Sequence, residues 1–150
     1  MSIPSVLPGN DFPLPDGSYV LSQYGTNDVF TLADNDRLIL LPYVENDRNQ
    51  IFACHRVALT GRLGFVSSGS RRRILRDQWE DLWGRIHTSP SVWESWAFEP
   101  VRNGGFRMTS LAWDIESPVR TFREADTTRF TISPGRHASS ELLVGVTELP

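Results

Sequence analysis

The sequence predicts an all-β domain of twelve short strands arranged as three degenerate repeats. Three observations carry that prediction. First, the stretch Glu94–Leu111, ESWAFEPVRNGGFRMTSL, alternates apolar and polar residues on both sides of Asn103-Gly104-Gly105. That pattern reads as two strands joined by a tight Asn-Gly turn. Second, the stretch has echoes: Gln50-Ile51-Phe52 and Glu141-Leu142-Leu143 stand where Glu94-Ser95-Trp96 stands, so that Phe52, Trp96 and Leu143 lie 44 and then 47 residues apart. The strand after the turn repeats as well, and Tyr19, Phe65 and Phe106, each following a glycine or Gly-Ser, are 46 and 41 apart. A period in the forties is the mark of a repeated supersecondary unit. Third, eight Phe, five Trp and three Tyr set against ten Pro and eleven Gly favour many short strands cut by turns.

Taken in order, residues 1–16 carry Pro4, Pro8, Pro13 and Pro15. That density forbids a helix and discourages strand pairing, so an extended leader is expected, with a single domain over 17–150. The first repeat gives strands at 18–23, 28–33, 37–42 and 50–57, separated by Gly25-Thr26-Asn27, Asp34-Asn35-Asp36 and Glu45–Asn49. The second gives 63–68, 72–76, 82–87 and 94–100. The third gives 105–111, 118–123, 128–132 and 141–148, with Pro134-Gly135 as a turn. Trp79, Leu82, Trp83 and Ile86 match the helical spacing i, i+3, i+4, i+7, but Gly84 and Ser89-Pro90 keep it short, so 77–81 is expected to be a turn or one helical turn.

At 150 residues, 39% apolar and with a formal charge of −3, the chain has the composition of one soluble globular domain. It shows no apolar window fit to span a bilayer and no secretory-signal pattern, and it has one cysteine, Cys54. A reducing, cytoplasmic setting is therefore expected, without a membrane partner. All fifteen basic residues are arginine. Arg71-Arg72-Arg73 with Arg76 is a local cluster on a chain of negative net charge. It reads as a solvated edge strand, not as a nucleic-acid surface.

No catalytic constellation emerges, and an enzyme is not expected. Cys54 and His55 are neighbours on a strand, so their side chains face opposite sides, and Cys54 reads as a small core residue. His55, His87 and His137 have no metal-ligand spacing, and neither a metal nor a cofactor is expected. Phosphate-cradling glycine loops and a Gly-x-Ser-x-Gly elbow are lacking. Carboxylates such as Glu80/Asp81 and Asp114/Glu116 read as solvated loop charges. Tryptophans are more numerous than one core needs. Trp93 and Trp96, three apart, face opposite sides of a strand, and Trp113-Asp114 is an aromatic–carboxylate pair of the kind that stacks on a sugar and binds its hydroxyls.

Three four-strand repeats with a Q-x-W-like element followed by Gly-x-Tyr/Phe resemble the β-trefoil over residues 17–150. That resemblance implies a six-stranded barrel capped by three hairpins, with function carried by the loops. The opening Met-Ser and Asp16-Gly17-Ser18-Tyr19-Val20-Leu21 are similar to the start of small fungal trefoils of two kinds. One kind is the mushroom protease inhibitors of the clitocypin/macrocypin, cospin and cocaprin group; the other is the ricin-B-like lectins. Asp34-Asn35-Asp36-Arg37-Leu38-Ile39-Leu40-Leu41-Pro42 resembles the acidic, basic, aliphatic-Pro stretch of the cospin-like inhibitors. True Q-x-W triplets are absent, since the three positions read Gln-Ile-Phe, Glu-Ser-Trp and Glu-Leu-Leu.

The inhibitor resemblance is the first reading and implies a protease partner, papain-like before serine or aspartic. It implies that stiff loops enter an active-site cleft, here Tyr24, Gly25, Thr26 and Asn27 together with Val44, Glu45, Asn46, Asp47, Arg48 and Asn49. For a serine protease it implies Arg37. The legumain-binding Asn of the group has no counterpart in Ser67–Arg71. The alternative is a fungal-type lectin with a glycan partner, for which Trp113 and Asp114 are the sugar-binding pair.

Overall fold

The computed structural model describes residues 7–77, 80–85, 92–112, 115–135 and 138–150, and these form strands joined by turns and two single 3-10 turns. The strands are β1 (Ser18–Gln23), β2 (Asp28–Leu32), β3 (Leu38–Pro42), β4 (Phe52–Arg56), β5 (Leu63–Ser67), β6 (Arg73–Arg76) and β7 (Leu82–Arg85). There follow β8 (Trp96–Pro100), β9 (Phe106–Ala112), β10 (Ile115–Pro118), β11 (Arg120–Glu124), β12 (Thr127–Thr131), β13 (Ser140–Glu141) and β14 (Leu143–Glu148). The 3-10 turns, Arg48–Gln50 and Val92–Glu94, lead into β4 and β8, so the strands expected from residues 50 and 94 begin two residues later.

Six strands close on themselves. β1 pairs with β4, β4 with β5, β5 with β8, β8 with β9, β9 with β14, and β14 returns to β1, all antiparallel. Closure leaves this barrel without an edge. Three hairpins, β2–β3, β6–β7 and β11–β12, supply the other six strands of a threefold pattern. They meet pairwise. Arg129 in β12 pairs with Ile39 in β3, Asp81 bridges Thr131, and the Gly84 N–H donates to the Asp36 carbonyl at 2.8 Å. The twelve expected strands are thus all occupied. Two extra pieces come from the third repeat, where β10 pairs with β9 ahead of β11 and the two-residue β13 precedes β14.

Inside the barrel, Tyr19, Phe65 and Phe106 are buried at equivalent places, and Phe52 and Trp96 lie beside them. The Trp96 indole N–H donates to the Ile74 carbonyl, which satisfies its buried donor. In the third repeat the expected landmark is displaced by one residue. Phe52 lies opposite Tyr19, and the residue opposite Phe106 is Val144, with Leu143 opposite Arg107. Val144 is fully buried and Leu143 half-exposed. A one-residue shift exchanges the faces of a strand, so the apolar pair Leu142/Val144 takes the core and Glu141 turns outward.

Other local expectations are revised as well. The β8–β9 connection is a five-residue loop, because Pro100 pairs with Phe106 and the Val101 N–H donates to the Gly105 carbonyl. Gly104 and Gly105 have φ of +105° and +76° there. Tyr24 fills the space their missing Cβ atoms leave. The arginine cluster is not a solvated strand. Arg71 sits in the turn at φ +61°, Arg72 pairs with Asp36, and Arg73 reaches the buried Glu94 at 3.4 Å. The proline-rich stretch runs beside β14, where the Asp11 N–H donates to the Val146 carbonyl and Asn10 bridges Val146 in parallel. At the turn expected over 77–81 the Asp77 N–H donates to the Asp81 carbonyl and the Glu80 N–H to the Asp77 carbonyl, while residues 78 and 79 lie outside the described residues. Trp79 and Ile86, from the helical-spacing argument, lie outside the described residues.

Candidate functional site

The first repeat brings its two expected loops together. The Tyr43 N–H donates to the Asn27 carbonyl at 2.8 Å, which fastens the β3–β4 connection to the β1–β2 turn. Within that turn the Thr26 hydroxyl donates to the Gln23 carbonyl and accepts from the Asp28 N–H. Asn27 Oδ1 accepts from the Leu7 N–H, and the Tyr24 hydroxyl accepts from Asn10 Nδ2. Tyr24 is thus part of the join between the leader and the β8–β9 loop. Gly25, at φ +84° with open space around it, is the exposed tip.

The β3–β4 loop is held from within. Asp47 caps the 3-10 turn by accepting from the Asn49 N–H at 3.0 Å. Gln50, only 1% exposed, makes three bonds: Oε1 accepts from the Val44 N–H, while Nε2 donates to Thr31 Oγ1 and to the Pro42 carbonyl. Around this staple Val44, Glu45, Asn46 and Arg48 are exposed, with Asn46 at φ +67°. Arg37 is not part of this surface. It lies at the far end of the β2–β3 hairpin, separated from that loop by the five residues of β3, about 17 Å of strand, and its guanidinium binds Glu124 at 2.8 Å. Burial raises the Glu124 pKa, but the guanidiniums of Arg129 and Arg37 beside it outweigh that and hold it below the usual carboxylate range. Trp113 and Asp114 lie outside the described residues.

A polar cleft of about 140 Å³ opens beside the staple, lined by Asp34, Asp36, Asn49, Ser70 and Arg72 over Leu32 and Ala33. The turn after β2 is closed by the Ala33 N–H on the Arg37 carbonyl, and it leaves Asp36 at φ +69°. From the second repeat, the turn after β5 lies directly on Asn49, because a Cβ on Gly69 would sit 2.5 Å from Asn49 Oδ1. The Gly69 N–H donates to the Arg48 carbonyl, and the Asp36–Arg72 ion pair joins the two turns. Carboxylates that only accept, a guanidinium that only donates, and an amide and a hydroxyl that do both converge on a space the size of one sugar ring. The arrangement suits a ligand rich in hydroxyls.

Of the expected residues, Asn49 alone belongs to the cleft. Asp34 and Asp36 were legible as turn-formers and as the acidic start of the inhibitor-like stretch, Arg72 as a solvated charge, and Ser70 only as part of the Ser67–Arg71 stretch. The signal lay in the repeat itself, which sets the turn after the second strand of one unit against the first turn of the next. Trp93 is 40% exposed and covers the Arg76 guanidinium at 4.7 Å, whereas Trp96 is buried; the two differ in burial as expected, but Trp93 sits in the 3-10 turn ahead of β8 and not on a strand, so strand alternation is not the cause. Cys54 is in the core, where burial pushes its thiol up to about 12. Among the described residues, no group of three or more His, Cys, Asp or Glu is placed to hold a metal.

No protein-family model matches the chain, and a search of characterised sequences finds no match. Solved structures do match. A ricin B-like lectin of Macrolepiota procera, in complex with lactose, superposes with a TM-score of 0.66 at 13% identity, over 93% of this chain and 100% of that one. The BEL β-trefoil gives 0.66 at 16% identity over 95% and 100%. The domain is a β-trefoil. A GlcNAcα1-4Gal-releasing endo-β-galactosidase from Clostridium perfringens matches at 0.67 and 12% identity, and there the trefoil chain spans 33% of the larger protein.

Proposed function

We propose that this β-trefoil is a carbohydrate-binding protein without catalytic activity, with the Asp36–Arg72 cleft as a site for one neutral sugar ring. The cleft is the observation that carries the reading, because its donors and acceptors converge in a space too small and too polar for an apolar ligand. The lactose held by the Macrolepiota lectin, on the same fold, supports the ligand class. A glycan array followed by titration of its hits tests it. Asp36→Asn and Arg72→Gln should each weaken sugar binding by about tenfold, the loss of one charge-assisted hydrogen bond. An array without hits, or hits indifferent to both changes, would refute the proposal.

A second reading, protease inhibition, is favoured by the stapled β3–β4 loop. Gln50 and Asp47 fix its backbone while Val44 stands 57% exposed, so little conformational entropy remains to be lost when the loop enters a cleft. Papain, trypsin and pepsin assayed in parallel decide it. Inhibition of papain that Val44→Asp abolishes would support this reading over the lectin.

A further inference from the structure

A larger groove, about 510 Å³, runs between the β8–β9 loop and the start of β14, on a part of the barrel separate from the cleft. Its existence follows from the one-residue shift in the third repeat. At the position before the fourth strand, the first repeat buries Gln50 and the second buries Glu94. The third buries Leu142, at 4% exposure. Glu141 is released to the surface, where its side chain is 46% exposed and Oε1 lies 3.1 Å from Arg107 Nε. Glu99 sits directly across from Arg107 in the β8–β9 register, and Arg102 is exposed at the loop. Two carboxylates and two guanidiniums therefore line the groove over an apolar floor that includes Val101 and Leu143.

Those charges sum to zero, so neither an anion nor a cation gains by entering. A neutral ligand whose hydroxyls both donate and accept satisfies both signs at once, and its C–H faces can rest on the apolar floor. From this geometry we propose that the groove is a second saccharide site, sized for a disaccharide rather than a single ring, which makes one chain bivalent. This rests on the carbohydrate-binding reading above and adds where and how many.

Titration of the 15N-labelled chain with lactose, followed by amide chemical shifts, tests both levels. Two separate groups of residues should move, one around 33–36, 49 and 69–72, the other around 99–107 and 141–143. The double variant Arg107→Gln, Glu141→Gln, both surface positions, should weaken the second response by about tenfold or more and leave the first in place. Asp36→Asn should do the reverse. Shifts confined to the first group, or a second group unmoved by the double variant, would overturn the second site while the lectin reading stands. A well-dispersed spectrum that no sugar perturbs would overturn both.

Discussion

Replacing Gln50 by leucine tests the view that one buried amide stiffens the surface of the first repeat. The change keeps volume nearly constant, so no cavity term enters. It removes three hydrogen bonds, to the Val44 N–H, Thr31 Oγ1 and the Pro42 carbonyl. At about 1 kcal/mol net for each bond, the loss is about 3 kcal/mol. The apolar area gained by leucine offsets roughly 1 kcal/mol of this. The expected destabilisation is then about 2 kcal/mol, or a fall of about 4–8 °C in Tm for a domain of this length. Glutamate at the same position should be worse, since its carboxylate would face the Pro42 carbonyl and carry a buried charge. Urea titration gives the free energies, and amide exchange at Val44 reports the loop, where protection should collapse in both variants. A loss under about 0.5 kcal/mol with unchanged Val44 protection would refute the staple.

Further outcomes follow from His55, Cys54 and Gly104. Burial, with help from Arg73, holds His55 below its ordinary 6.5, so the unfolded chain takes up the proton first. Stability should be full above about pH 6.5 and fall as the pH drops below it, and His55→Gln should flatten the urea-derived profile in that window. Cys54, pushed up to about 12 from 9.0, should not react with a disulfide reagent at pH 8 until urea unfolds the chain. The same shift makes the folded state lose stability as the pH rises past 9. Gly104→Ala places a methyl 2.1 Å from the Tyr24 hydroxyl at a φ of +105°, and should cost about 2–3 kcal/mol. In a Tyr24→Ala background the cost should shrink to the backbone strain of about 1 kcal/mol, as measured by a double-mutant cycle.

The fold was legible because its landmarks are bulky. Tyr19, Phe65 and Phe106 must fill one barrel, and aromatic residues leave a period that survives loss of sequence identity. Where the landmark is aliphatic, the register was ambiguous. Leu142, Leu143 and Val144 are interchangeable to an apolar count, and only pairing with β9 chooses among them. The polar cleft was less legible. Asp36 and Arg72 come from different repeats, and each alone has the profile of a turn or strand charge. Their meeting depends on Gly69 allowing one turn to lie on another, a contact that spacing within a single repeat does not reveal.

The three positions ahead of the fourth strands show how a repeated scaffold acquires distinct surfaces. One fold holds a glutamine, a glutamate and a leucine there, all buried, so the repeats differ in polarity at this position without a change of architecture. A glutamine reaches out by hydrogen bonding and fixes the loop before it; a glutamate ties that loop to an arginine of the neighbouring hairpin; a leucine does neither. The third choice leaves the adjacent carboxylate with no internal task, and the groove around Arg107 is where it is exposed. Loop rigidity and surface chemistry are thus set by one core position per repeat. Exchanging glutamine and leucine between the first and third repeats should therefore loosen the first loop and bury an amide in the third repeat, at a cost in stability read by urea titration, while the barrel itself is retained.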